Sequence, residues 1–178
     1  SDIDDLKILL GSKAEKIKVI AKLEDQEAIT NMIEITAAAD GIMVARGDLG
    51  VEIRLEVLPR IQRRIIRPCA EMGKRVIVAT HMLESMIANA MPTRAEVTDV
   101  ANAVYEEADA IMLSGETAVG RYPIKCVEIL DRIARSTESS RGLRFTDNLR
   151  LENDKQHIAQ AAVNLAESIS AKAIIVPT

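Results

Sequence analysis

Aromatic residues are almost missing from this sequence: its 178 residues include no Trp, one Phe and two Tyr. Basic residues do not dominate either, since 23 Lys and Arg stand against 27 Asp and Glu, giving a formal net charge of -4. Nucleic-acid binding relies on a basic face, and single strands are also held by stacking on aromatic rings. The composition therefore argues against a nucleic-acid partner.

Long apolar runs are also lacking. The longest, such as residues 110–113 and 173–176, are far shorter than the roughly 20 residues of a membrane-spanning helix, and the chain does not open with the pattern of a signal peptide. The two cysteines, Cys69 and Cys126, lie in separate amphipathic segments without the spacing of a zinc site. We predict no membrane association, a cytoplasmic location and two reduced, packed thiols.

Hydrophobic residues make up 48% of the chain, enough for a core, and form short Val- and Ile-rich runs between helical patterns. This alternation is typical of an α/β fold with a parallel sheet. Helices are predicted at about 26–39, at about 55–72, where Pro68 should kink or break the helix, after the capping-box spacing Thr93 to Glu96, and after Pro123. The five predicted strands are Ile17–Leu23, Gly41–Val44, Arg75–Ala79, Ala110–Leu113 and Ala173–Val176.

The apolar pattern decays after Ile133 into a polar stretch. We therefore predict one unit over residues 1–140, a linker over 141–155 and the start of a further α/β unit over 156–178. That last unit comprises one helix, about His157–Ser170, and one strand. Because two elements cannot bury a core of their own, the sequence predicts that the second domain is truncated.

Charged residues gather where the first two strands end. Lys22 and Glu24 point to the same face because side chains alternate along a strand, and Asp48 follows the next strand. Two carboxylates without a nearby Cys or His pair favour a hard divalent cation, and Mg²⁺ typically takes one or two carboxylates. This predicts a Mg²⁺ site, with Mn²⁺ as a substitute. The alternative is a salt-bridge network that ties the strands together.

Other polar residues share this edge, each with a structural alternative. Backbone N–H groups around Gly47 could bind an anion if a helical turn starts there, or Gly47 could only form a turn. Asp48 could cap a helix instead of binding a metal, and Arg46 could form a surface ion pair. Thr80 brings a hydroxyl to the same edge, although a Thr at a strand end also caps helices. His81 could tune proton transfer or be structural.

Six segments together resemble the pyruvate kinase family in order and spacing. The resemblance covers about Ser1 to Ile133 and extends more loosely over the rest. A run of motifs in this order is much stronger evidence than any one of them. The segments are IKVIAKLE (17–24), DGIMVARGDLGVE (40–52), VATHMLESM (78–86), PTRAE (92–96), DVANA (99–103) and IMLSGETA (111–118).

The resemblance implies a glycolytic enzyme that transfers a phosphoryl group from phosphoenolpyruvate to ADP, giving pyruvate and ATP. It implies Mg²⁺ and K⁺ as cofactors, and a homotetramer built on a (β/α)₈ barrel with a lid and a C-terminal domain. This chain would be the later half of that TIM barrel, followed by the beginning of a separate α/β C-terminal domain.

The resemblance also implies roles for individual residues. Glu24 and Asp48 would hold the Mg²⁺, and the N–H groups of Gly47 and Asp48 would hold the substrate carboxylate. Lys22 would stabilise charge on the phosphoryl group and on the enolate, an electrostatic task typical of phosphoryl transfer. Thr80 would line the enolate pocket and help position the proton donor.

Ala45 and Arg46 belong by resemblance to the substrate-binding residues. Two positions depart from the family pattern: Asp25 stands where Asn is usual, and His81 stands where Gln is usual. Asp25 would add negative charge near the metal, and His81 would place a titratable group beside the proton-transfer pocket.

No segment of this chain matches the family residues that hold the ATP phosphates and K⁺, so the isolated chain is expected to be inactive. Two alternatives stay open. One is a Mg²⁺-dependent enolate barrel, an aldolase or decarboxylase acting on pyruvate or oxaloacetate. The other is a non-catalytic half-barrel that binds a partner or a divalent ion.

Overall fold

The computed structural model describes residues 2–140, 142–148 and 151–176. Its strands are β1 Ile20–Leu23, β2 Gly41–Ala45, β3 Arg75–Ala79 and β4 Ala110–Met112. The α-helices are α1 Asp2–Leu10, α2 Gln26–Thr30, α3 Met32–Ala38, α4 Arg46–Glu52, α5 Leu58–Glu71, α6 Arg94–Tyr105, α7 Gly115–Ala118, α8 Pro123–Glu138 and α9 Asp154–Ser168. Short 3₁₀ helices lie at Gly11–Glu15, Leu55–Val57, Glu84–Ile87 and Phe145–Asn148.

The four strands form one parallel sheet in the order β1-β2-β3-β4. The registers pair Leu23 with Val44, Val44 with Val78 and Val78 with Ile111. Helices lie between successive strands, as parallel pairing requires. The predicted α/β class with a parallel sheet is confirmed, and the carboxyl ends of the strands meet at one edge.

The core lies between the sheet and its helices. β2 and β3 are the most buried strands, and α5 packs against them with one apolar face, since Ile65, Ile66 and Cys69 are fully buried. Continuous burial along the inner strands explains why they are Val- and Ile-rich. The other largest buried apolar side chains are Leu23, Ile42, Leu49, Met82, Leu83, Met86, Val44, Val76 and Val78.

At the amino end of the sheet, Asp40 and Asp109 each make the same pair of hydrogen bonds. The Asp40 N–H donates to Val19 O at 2.9 Å, and its carboxylate accepts from Val19 N at 2.9 Å. Asp109 repeats this arrangement with Val76, at 3.0 and 2.9 Å. The hydrogen bond from Val19, with Lys7 and Lys18 nearby, holds the pKa of Asp40 below its usual value. We call this repeated pair the aspartate latch.

Some sequence predictions were wrong. The predicted strand at 173–176 does not form among the described residues, because no neighbouring strand pairs with it and Ile175 is 92% exposed. The predicted helix at 26–39 is interrupted at Asn31. Pro68 lies inside α5, which continues to Glu71, so the break does not occur and the kink stays a prediction. The predicted capping box of Thr93 and Glu96 is confirmed.

Cys69 and Cys126 are free thiols with no exposed surface. Burial raises the pKa of the Cys69 thiol to about 11 and also raises that of Cys126. Both thiols are thus packed as apolar side chains. Within the described ranges, no helix combines the length and the apolar character that a membrane crossing needs.

Candidate active site

Lys22, Glu24 and Asp48 meet at the carboxyl edge of the sheet. Lys22 lies in β1, Glu24 follows that strand, and Asp48 lies in the first turn of α4, which begins directly after β2. The Lys22 ammonium donates to Asp48 Oδ2 at 2.9 Å and contacts Glu24 Oε2. The side chains of Lys22 and Asp48 are 50% and 62% exposed. The structure therefore brings together the three charged residues expected at this edge, in contact with solvent.

The charges in this cluster stabilise one another. Contact with Glu24, and then with Asp48, raises the pKa of Lys22. The hydrogen bond from Lys22 lowers the pKa of Asp48, with a smaller contribution from Glu24. An ammonium and a carboxylate are therefore the favoured forms at neutral pH.

The donor set fits a Mg²⁺ ion. Glu24 Oε2 is buried and already faces a cation, the Lys22 ammonium, so a metal ion bound there would share or replace that contact. Its carboxylate and that of Asp48 converge on one ammonium. The described residues contain no group of three or more His, Cys, Asp or Glu side chains placed to hold a metal ion together, but Mg²⁺ keeps water and substrate oxygens beside one or two carboxylates. The salt-bridge alternative has this same geometry without a metal.

Thr80 and Gly47 connect the ends of β3 and β2. The Gly47 N–H donates to Thr80 Oγ1 at 2.6 Å, and the hydroxyl donates to Ala79 O at 2.6 Å. A Cβ at Gly47 would lie 3.3 Å from Thr80 Oγ1 and 3.5 Å from the His81 ring, so glycine allows this close approach. Because the Gly47 N–H already has an acceptor, an anion bound there would compete with the Thr80 hydroxyl.

Arg46 is buried, which contradicts the surface ion pair and leaves its role in substrate binding a prediction. We expected a surface ion pair or a substrate contact, but Arg46 is only 6% exposed. Its Nη2 donates to Thr80 O at 2.7 Å and to His81 O at 3.1 Å, and Nη1 donates to Asp99 Oδ1 at 2.8 Å. The guanidinium is therefore committed to partners inside the protein. Ala45 is 1% exposed at the end of β2, and its role in substrate binding stays a prediction.

Of the two departures from the family pattern, Asp25 has a structural explanation and His81 lies at the candidate site. Asp25 is the N-cap of α2, because its carboxylate accepts from Ala28 N at 2.7 Å. That bond accounts for Asp25 without a metal. His81 is exposed, and its ring lies beside Gly47.

Glu116 is a central residue that the sequence reasoning missed. It is fully buried, and its two carboxylate oxygens accept from Leu83 N at 3.0 Å and from Ser114 N at 2.8 Å. The carboxylate thus connects the loops that follow β3 and β4. The available signal was an acidic residue in a short turn between an apolar strand and a helix, with no basic residue adjacent.

Comparison with known proteins shows that most of this sequence matches one protein family. Residues 1–127 match the family model described as "Pyruvate kinase, barrel domain". The matched region contains all four strands and every candidate residue described above. It ends within α8.

Individual relatives agree with this match. The chain is similar to proteins named pyruvate kinase from Sporosarcina psychrophila, at 45% identity over all of this chain and 31% of the relative, and from Thermotoga maritima, at 44% identity over 99% of this chain and 38% of the relative. A third relative, from Dictyostelium discoideum, is 51% identical over 77% of this chain and 27% of its own length. The chain therefore spans about a third of the length of these relatives.

Proposed function

The chain belongs to the pyruvate kinase family, and from that premise we propose that it takes part in phosphoryl transfer from phosphoenolpyruvate to ADP, giving pyruvate and ATP. The observation that supports this most directly is the convergence of Lys22, Glu24 and Asp48 at the carboxyl edge of the sheet. Parallel α/β proteins place their chemistry at this edge. The family match favours the kinase over the aldolase or decarboxylase alternative.

Glu24 and Asp48 are the proposed ligands of Mg²⁺, for which Mn²⁺ would substitute. When bound, the ion would supply positive charge that neutralises charge developing on substrate oxygens. Lys22 pairs with both carboxylates and lowers the pKa of Asp48, which favours the ionised form of that side chain. Its ammonium remains charged because those carboxylates raise its pKa.

Lys22 is the proposed catalytic cation. A phosphoryl group in transfer develops charge on its oxygens, and a fixed ammonium stabilises that charge better than mobile water does. Because the Lys22 side chain is half-exposed, its ammonium can exchange a carboxylate for a substrate oxygen without moving a buried charge. Lys22 would also stabilise the enolate that remains when the phosphoryl group departs.

Thr80 is proposed to position the proton that converts the enolate into pyruvate. Its hydroxyl lies at the same edge, held between Gly47 N and Ala79 O. The N–H groups of Gly47 and Asp48 are proposed to bind the substrate carboxylate, with the substrate displacing Thr80 Oγ1 from Gly47. Of the segment expected to contact substrate, Ala45 would do so through its backbone, whereas the Arg46 guanidinium already has partners inside the protein.

The family also suggests the wider architecture. We propose that residues 1–140 are the later half of a (β/α)₈ barrel, which the sequential order of the parallel strands supports. Residues 141–155 would be a linker and 156–178 the beginning of a C-terminal domain; α9 buries none of its residues. A cytoplasmic homotetramer, with K⁺ held by residues outside this chain, completes the proposal.

The test is isosteric neutralisation of the carboxylates in the protein that contains this sequence. Glu24→Gln and Asp48→Asn should each lower pyruvate formation from phosphoenolpyruvate and ADP roughly 100-fold or more, because the cation loses a charged ligand. Asp131→Asn is the matched control, since it removes an exposed carboxylate paired with Arg135 on α8. Mn²⁺ affinity, measured by electron paramagnetic resonance, should fall in the first two variants alone.

Each alternative has its own outcome. Unchanged turnover in Glu24→Gln and Asp48→Asn would leave the cluster as a salt-bridge network. Turnover of pyruvate or oxaloacetate without nucleotide would indicate an aldolase or decarboxylase. Mn²⁺ binding without any turnover would indicate a binding module.

A further inference from the structure

Two consecutive residues at the end of β3 have left-handed backbone conformations. Thr80 has φ 68° and His81 has φ 53°. Positive φ is uncommon for residues other than glycine, and for a β-branched residue such as Thr it is a genuine outlier. Such a conformation persists only where the surroundings over-determine it, and it concentrates at functional sites. The cause must therefore lie in the contacts of this turn.

A single buried side chain holds both carbonyls of the turn. Arg46 donates from Nη2 to Thr80 O at 2.7 Å and to His81 O at 3.1 Å, and from Nε to Thr80 O at 3.2 Å. Arginine suits this task because its guanidinium presents its donors in a rigid planar fork. Its bonds reach two adjacent carbonyls that a right-handed turn would direct differently.

Arg46 is in turn held by residues far from it in sequence. Asp99 in α6 pairs with Nη1 at 2.7 Å, and Gln62 Oε1 in α5 lies 3.5 Å from the same atom. The Gln62 amide donates to Glu106 Oε2 at 2.9 Å, and Glu106 Oε1 accepts from Arg63 Nε at 3.1 Å. Gln62 and Glu106 are 4% and 3% exposed, so the hydrogen bond between them is shielded from water.

We propose that Asp99, Gln62 and Glu106 are positioning residues that act through Arg46 on Thr80. Together with Arg46, these three residues form the Arg46 network. The network fixes the left-handed turn, and the turn holds the Thr80 hydroxyl at the carboxyl edge, where it accepts from the Gly47 N–H until a substrate carboxylate takes that donor. The catalytic consequence rests on the proposed function, in which Thr80 serves proton transfer to the enolate. Displacements of an ångström or less in a positioned group are enough to cost large factors in rate.

The first experiment needs no activity. In the ¹H–¹⁵N spectrum of the full chain, Gln62→Met and Asp99→Asn should shift the amide signals of Gly47, Thr80 and His81, because the hydrogen bond between Gly47 and Thr80 changes. Arg67→Gln is the matched control, since it removes an exposed ion pair with Glu71 on the same helix as Gln62. It should leave those three signals in place.

The second experiment measures proton transfer itself in the protein that contains this sequence. Exchange of the pyruvate methyl protons with D₂O, the reverse of the protonation step, should fall about tenfold in Gln62→Met and Asp99→Asn. The KM for phosphoenolpyruvate should stay within about twofold, because the network touches no substrate. A merely structural role would instead lower methyl-proton exchange and pyruvate formation to the same extent, because less protein would be folded.

The outcomes separate the two proposals. Folded variants with unshifted Gly47 and Thr80 signals would overturn the network, and so would complete unfolding of Asp99→Asn, which would give these residues a role in the fold alone. If the unmodified protein neither forms pyruvate nor exchanges the methyl protons of pyruvate, the proposed function fails. The amide shifts would then still decide whether the network holds the turn.

Discussion

The Lys22–Glu24–Asp48 cluster and the Arg46 network both combine acidic and basic side chains, but they differ in solvent exposure. The side chains of Lys22 and Asp48 are 50% and 62% exposed, whereas Arg46 and Glu106 are 6% and 3% exposed. An exposed charge can exchange its partner for water or a ligand at small cost. A buried charge that loses its partner is left desolvated. The Lys22–Glu24–Asp48 cluster is therefore suited to binding a ligand, and the Arg46 network is suited to fixing the backbone of the turn.

Removing the buried charge should give the largest effect on folding. Arg46→Met leaves the carbonyls of Thr80 and His81 and the Asp99 carboxylate without their donor, and should lower the free energy of unfolding by about 3 kcal/mol. Urea denaturation followed by circular dichroism measures this. The control is Arg135→Met, which breaks an exposed ion pair on α8 and should not move the midpoint. A loss below about 1 kcal/mol for Arg46→Met would contradict the view that the buried hydrogen bonds of Arg46 stabilise the fold.

Glu96 lies between the two extremes, and its effect should depend on pH. Partial burial by itself raises the pKa of Glu96, but hydrogen bonds from Ser85 and Thr93 outweigh it, and the pKa lies below the usual value. A lowered pKa means that the stabilisation is present above the unfolded-state pKa and is lost as the pH falls through the folded-state value.

The matched variant for this prediction is Glu96→Gln. The difference in unfolding free energy between the unmodified chain and this variant should be constant near pH 7 and should shrink between about pH 5 and about pH 3. Urea denaturation across that range measures it. A difference that grows toward acid would show that the pKa is raised instead.

Removing the exposed charge should have the smallest effect on folding. Lys22→Met should leave the midpoint of urea denaturation unchanged, because Glu24 and Asp48 are partly exposed and water can replace the ammonium. The same variant should lose pyruvate formation under the proposed function. A large drop in stability would mean that the cluster serves the fold, as the salt-bridge alternative states.

The difference between the clusters also explains what the sequence could predict. Strand ends are readable because alternation places Lys22 and Glu24 on one face, and β2 ends one residue before Arg46. The meeting of Lys22 and Asp48 follows from adjacent parallel strands. The sheet itself was predictable for the same reason, because buried strands have a strong apolar signature.

The Arg46 network was not predictable from local pattern. Its hydrogen bonds join residues 53 and 44 positions apart, Arg46 with Asp99 and Gln62 with Glu106. Gln62 in α5 and Glu106 just after α6 look like ordinary surface polar residues until packing encloses them. The wrong strand at 173–176 has the opposite cause: its composition favours a strand, but extended backbone becomes a strand only beside a partner.

The aspartate latch fixes strand alignment at the amino end of the sheet, whereas the candidate site lies at the carboxyl end. Asp40 and Asp109 fix the alignment of β1 with β2 and of β3 with β4 through bonds at the amino end, away from Lys22 and Thr80. A one-residue slip would exchange the buried and outer faces of a strand. With alignment secured there, side chains at the carboxyl end can be exchanged for other chemistries without misregistering the strands. For protein engineering, the amino end is the part to preserve and the carboxyl end is the part to redesign.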